Sequence, residues 1–213
     1  MTSTNQKLNF KLKILMIIFS TIIYSLSSFA IDKNFLNGQM GYYKTLKPGV
    51  YLLVLNPPSK LIESLSLFQK TLQIKSASIT GVGVTRNTTL GFYKFNEDGT
   101  PGGGAHTDDV VKDPREIVSL NCNLTTQYIE KDKSPITPPP HCHIALAGVA
   151  EPAIPNGNGW SVVGGHLIEA EVAVTAELII TTYQVEVTKV PSLKFGGKVI
   201  DLQNDGIPLI RGY

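Results

Sequence analysis

With 213 residues, 42% hydrophobic and 17% charged, the chain is long enough to bury one sizeable core and too apolar for wholesale disorder. Its formal charge of +2 comes from the first thirty residues, where Lys7, Lys11 and Lys13 sit without an acid. Taking those three from 19 basic residues leaves 16 against 17 acids, a charge of −1 that excludes long-range attraction for a phosphate backbone.

The three lysines form a basic n-region, and "ILMIIFSTIIYSLSSFA" (14–30) supplies an apolar h-region. Ser28-Phe29-Ala30 then places small residues where a signal peptidase cuts. An uncleaved membrane anchor is the alternative, since the stretch approaches bilayer-spanning length. The interrupting serines and the small-residue site favour a signal peptide over residues 1–30, a mature start at Ile31, and a secreted or periplasmic protein without membrane attachment. No cysteine follows the apolar run, so a lipoprotein anchor is not supported.

Residues 31–48 read as an extended lead-in that ends in a turn at Lys47-Pro48-Gly49. "VYLLVL" (50–55) is a continuously apolar, β-leaning run, hence a buried strand. Asn56-Pro57-Pro58 stops it, and Ser59 is placed to cap a helix whose apolar face is Leu61, Leu65, Phe68 and Leu72. "SASITGVGVT" (76–85) is a strand in which Gly81 and Gly83 signal close backbone approach or a bulge. Arg86-Asn87 reads as a turn into a further strand over 88–95. Residues 96–114 form a Gly- and Asp-rich exposed loop, in which His106, Asp108 and Asp109 are read as solvated.

"REIVSLNCNLT" (115–125) alternates as a strand should, and 127–140 is a polar loop ending in three prolines. "HCHIALAGVA" (141–150) is a strand, 151–159 a connector, and 166–187 one long strand or two consecutive ones. The last residues are Gly- and Pro-punctuated and read as a wrapped tail. The domain plan is therefore a signal peptide (1–30), a lead-in (31–39), one domain (40–190) and a tail (191–213). Cys122 and Cys142 lie on segments able to pair as neighbours. They either form a disulfide in an oxidising compartment or pack as buried thiols, and their spacing leaves both open.

Three of the four histidines fall within residues 141–166. Side chains at i and i+2 of a strand leave the same face, so His141 and His143 point together, roughly 7 Å apart, while Cys142 points away. That separation lets two imidazoles reach one ion. His166, after Gly164-Gly165, begins a second strand that a hairpin or crossover could bring alongside. Three imidazoles leave a fourth position open, the pattern of a catalytic rather than a structural zinc site. The other reading is three unrelated polar side chains on a sheet. An all-imidazole set suits zinc, copper, nickel or iron rather than magnesium or calcium, and occupancy should fall below about pH 6 as imidazole takes up protons.

"EIVSLNCNL", then "HCHIALAG", then "VVGGHLIEAEVAVTAELII" together resemble the PPC domain of plants and prokaryotes, with the likeness running over about residues 40–188. Cys122, Asn121 and Arg115 depart from its usual first motif, which detaches the chain from the partner-binding motif of plant members. The resemblance implies an α+β fold of antiparallel, coiled sheet with one main packed helix, assembled as a homotrimer. It also implies a metal, since prokaryotic relatives keep histidines matching His141, His143 and His166. A fold relative, acetolactate decarboxylase, is similar in holding zinc through an H-x-H pair and a third histidine.

Two functions follow as expectations. One is a metal-dependent lyase or hydrolase acting on a small molecule, with Glu116, Glu169, Glu171 and Glu177 as candidate proton carriers. On a regular strand from His166, the last three would project to the opposite face, and a bulge would cancel that parity. The other is a non-catalytic oligomeric binding module. Nucleic acid is not an expected partner: the charge is wrong, and no Arg-Gly-Arg-Pro core is present.

Overall fold

The computed structural model describes residues 33–99, 101–106, 109–127, 136–149, 160–192 and 197–200. The expected signal peptide, the connector at 151–159 and the end of the tail lie outside the described residues. The elements in chain order are β1 (Lys33–Asn37), β2 (Met40–Lys44), β3 (Val50–Leu55), α1 (Leu61–Thr71), β4 (Ala77–Gly91), β5 (Tyr93–Phe95), β6 (Pro101–His106) and β7 (Asp109–Val111). After these come β8 (Arg115–Leu124), β9 (Thr126–Gln127), β10 (His141–Val149), β11 (Trp160–Thr182), β12 (Thr188–Ser192) and β13 (Gly197–Ile200).

An eight-stranded antiparallel sheet runs β1-β2-β3-β11-β10-β8-β4-β7, with a further pairing of β11 to β4. The pairs β11–β10, β10–β8, β8–β4 and β4–β11 thus close a ring. Closure follows from the length of β11: its first half pairs with β10 on one edge, and its second half with β3 on that same side of the ladder. β4 meets it along the other edge. The inward-facing residues are apolar, among them Ile79, Ile117, Leu120, Ile144, Leu146, Leu178 and Ile180, all buried.

The expected helix is present, and its apolar stripe lies against the sheet. Leu61, Leu65 and Phe68 are fully buried, and the Phe68 ring meets Tyr42 and Tyr51 edge-on at 5.4 and 5.6 Å. The cap differs from expectation. Ser59 does not cap α1, because its hydroxyl donates back to the Asn56 carbonyl at 2.6 Å. The Glu169 carboxylate of β11 takes that place, accepting the Ile62 N–H at 2.8 Å and the Glu63 N–H at 3.3 Å. A negative group on the first-turn N–H groups satisfies donors that no carbonyl reaches and meets the positive end of the helix dipole.

The lead-in is extended, as expected, and forms the hairpin β1–β2, whose second strand pairs with β3. Four further expectations are corrected. Arg86-Asn87 is no turn: β4 runs through it, with Asn87 at φ +48° and its N–H bonded to the Lys112 carbonyl. A left-handed asparagine marks an irregularity within the strand as readily as a turn. The loop at 96–114 contains β6 and β7, and His106 is a strand residue opposite Tyr93. The long strand starts at Trp160, six residues before His166, and part of the tail forms β12 and β13. Gly83 does allow the close approach read from sequence: it has φ +153°, and a Cβ there would lie 2.7 Å from Ala176 Cα on β11.

Candidate metal centre

β10 and β11 run in unbroken register from Cys142 opposite Leu167 to Val149 opposite Trp160. His143 therefore lies directly across from His166. Strand alternation sends His141 to the same side, and the three rings stand 5.0 to 5.4 Å apart, centroid to centroid. Gly164 makes the pairing this tight, because a Cβ there would come within 2.6 Å of the Ile144 carbonyl oxygen.

Cys142, between the two histidines, is fully buried and bonded to Cys122, its direct cross-strand partner on β8. The two cysteines are thus a disulfide rather than separate thiols. It ties β10 to β8 under the histidine face, with a Cα–Cα distance of 4.0 Å. The outer side of the sheet places Asn121 opposite His143 and Asn123 opposite His141.

One ring nitrogen from each histidine lies within 4.8 Å of the others, and no Asp, Glu or Cys among the described residues joins them. Tetrahedral binding with Zn–N bonds of about 2.0 Å needs nitrogens roughly 3.3 Å apart. The three side chains are half-buried or exposed, and holding an ion would draw their nitrogens closer together. The donor set fits a divalent transition metal. Burial first, then the Lys189 ammonium and the other two imidazoles, lowers the pKa of His141 to about 4. Its ring thus keeps a lone pair in mildly acidic water.

The four carboxylates considered from sequence lie elsewhere. Glu116 is opposite Ala147 on β10, four residues from His143. Glu169 caps α1 and also accepts the Ala170 N–H. Glu171 binds the Arg86 guanidinium and the Asn87 amide. Glu177 is exposed opposite Val82. The parity expected for the last three does not hold across Glu169. Leu167 and Ala170 are both core residues although three apart, because the register with β4 shifts on either side of Glu169. Beyond that bulge Glu171 and Glu177 return to the outer side, as His166 is, but farther along the strand.

Lys189 escaped the sequence reading. Its Nζ donates to His141 Nδ1 at 3.1 Å. Nothing near it in sequence signals this, because the contact arises from the parallel pairing of β12 with β9, which sets Lys189 opposite Gln127.

Among the described residues, a ring of antiparallel strands, one helix docked on it and three imidazoles on its outer side define a β-sheet domain whose histidines could hold a metal ion. The sequence profile of the Plants and Prokaryotes Conserved (PCC) domain matches residues 43–184, two thirds of the chain, and the chain belongs to that family. No curated protein sequence matches it. Among solved structures it resembles a Bacteroides thetaiotaomicron protein with a provisional DNA-binding label, at 22% identity and a TM-score of 0.60, covering 78% of this chain and 99% of that one. A plant- and prokaryote-conserved protein of Pyrococcus horikoshii is similar at 23% identity and a TM-score of 0.52, with 78% and 97% covered. A metal-containing protein of Archaeoglobus fulgidus matches at 21% identity and 0.53, with 71% and 91% covered.

Proposed function

We propose that this is an exported protein that holds a divalent transition metal, zinc foremost, through His141, His143 and His166, and offers it to a small-molecule ligand. The observation that carries the reading is the convergence of three imidazoles from two strands with no carboxylate among them. An ion held by three neutral imidazoles keeps an open position and polarises whatever oxygen is placed there. Export is supported by the leader pattern and by the Cys122–Cys142 disulfide, a bond that persists in oxidising compartments. The homotrimer is part of the same proposal, supported by exposed apolar side chains such as Val82, Val118 and Ile179 on the outer sheet.

Whether the centre is a lyase or hydrolase or a non-catalytic binding module turns on a proton carrier. The binding module gains from the positions of the four glutamates, two of which are engaged by α1 and Arg86. The DNA-binding label of the Bacteroides relative does not transfer, since 16 basic against 17 acidic residues after the leader give no electrostatic footprint. The deciding experiment is elemental analysis of untagged protein. About one equivalent of a transition metal per chain supports the reading. Less than a tenth of an equivalent, with none taken up on addition, removes it.

A further inference from the structure

We infer that the ligand of the histidine centre is a polyhydroxylated small molecule, sugar-like in its chemistry, which gives one end to the metal and lays its hydroxyls on Asn121 and Asn123 of β8. This rests on the metal-binding reading and extends it to the ligand. Across β10, β8 and β4 the pairing holds without a shift over three rows: His141–Asn123–Ser78, Cys142–Cys122–Ile79 and His143–Asn121–Thr80. Directly paired residues of antiparallel strands send their side chains to one face. The middle row is buried and carries the disulfide, which joins β8 to β10 between the other two rows. Those two rows therefore share the face of the histidines, with Asn121, Asn123 and Thr80 exposed and Ser78 half-buried.

Neighbouring strands lie about 4.8 Å apart, so the asparagines stand roughly 5 Å from the histidines and Ser78 and Thr80 roughly 10 Å. Asparagine is depleted in strands, and the ladder itself gives no reason for two of them at alternate positions of β8. Asn121 gives one amide hydrogen to Ser119 Oγ at 2.8 Å, which orients the amide and leaves its carbonyl oxygen and second hydrogen for a ligand. An amide offers a donor beside an acceptor, and a hydroxyl is both at once, so the two match without any charge. None of the side chains beside the histidines in these rows is ionic, so the strip attracts no second charged group on the ligand. An alkyl chain laid on it would strip water from the amides and return no hydrogen bond, which costs more than the lost contact alone.

The test separates the tail of a ligand from its head. Cobalt(II) serves as the metal probe in the full, untagged chain, and its visible absorption reports both uptake and ligand exchange. Gluconate and 2-hydroxyhexanoate share a head and a chain length and differ only in the hydroxyls of the tail. The parent should prefer gluconate. In the Asn121→Ala, Asn123→Ala protein that preference should shrink about tenfold, the range set by losing two neutral hydrogen bonds, with cobalt uptake and 2-hydroxyhexanoate binding unchanged. Thr80→Val keeps the shape without the hydroxyl and should shrink it roughly threefold. An equal preference in parent and double variant, both loaded with cobalt, overturns the role of the asparagines alone. An equal loss of both ligands also overturns it, since the asparagines would then serve the head or the metal. No cobalt uptake by the parent overturns the metal centre and this inference with it.

Discussion

The two stretches of β11 on either side of Leu167 differ in one respect. From Trp160 to Leu167 the strand pairs with β10 without a shift. From Leu167 to Ala176 its register with β4 breaks three times. In the regular stretch alternation alone decides orientation, so His166 meets His143 and the three-histidine face assembles from strand geometry. In the broken stretch each shift redirects a side chain. There the polar residues hold the fold: Glu169 on the end of α1, Glu171 on Arg86. Regular pairing gathers the candidate chemistry, and irregular pairing docks the helix.

The sharpest test of the regular stretch is His143→Ala. It removes one of the three proposed imidazole ligands while leaving the backbone ladder intact, so metal affinity should fall by roughly two orders of magnitude. Urea unfolding of the metal-free protein should be unchanged. A variant that retains the parent's metal content shows that register alone does not define the site. His106→Ala, on a different sheet, should leave metal content as it is.

Next in size is the disulfide beneath the histidines. Cys122 and Cys142 close a segment of 20 residues, and releasing such a loop costs about 3 kcal/mol in the chain-entropy account. The Cys122→Ala, Cys142→Ala protein should lose roughly that much stability by urea titration, and dithiothreitol should have the same effect on the parent but none on the double variant. The histidine parity survives, since it belongs to the ladder.

The sequence showed the regular regions well. Period-2 alternation placed β8, steps of three and four placed α1, and i, i+2 spacing put His141 and His143 on one side. It could not show the bulge at Glu169, because a register shift is set by two strands together and β4 has its own break at Asn87. The cap shows the same limit. Ser59 was the local candidate, but the carboxylate that does the work is 107 residues from Ile62. Lys189 was invisible for this reason too: parallel pairing of two short strands leaves no periodic trace.

Glu169→Ala tests the irregular stretch. Losing a helix N-terminal acceptor costs about 0.5–2 kcal/mol. We expect a loss in that range by urea titration with metal content untouched. If metal binding falls instead, Glu169 serves the centre rather than the helix. Glu169→Gln, which keeps an acceptor oxygen without the charge, should recover part of the loss.

The smallest effect concerns Glu171, and its size depends on pH. Hydrogen bonds from Arg86 and then Asn87 hold its carboxyl below the ordinary value of 4.5. A group depressed in the folded state stabilises it at pH above the unfolded value, and that contribution disappears as pH falls through the folded value. Glu171→Gln should therefore lower the urea midpoint slightly at pH 7, with the gap to the parent closing at pH 3. Glu186, lowered chiefly by Lys75, keeps an acid-sensitive contribution in both proteins, so only the difference between them is informative. A gap of equal size at both pH values would mean that packing rather than charge is lost. A change in ligand binding at the metal centre would mean that the bulge does not separate Glu171 from the histidines. Because the Arg86–Glu171 pair is on the outer surface, salt should shrink the pH 7 gap as well, and 1 M sodium chloride, where the Debye length is about 3 Å, is the condition in which to measure it.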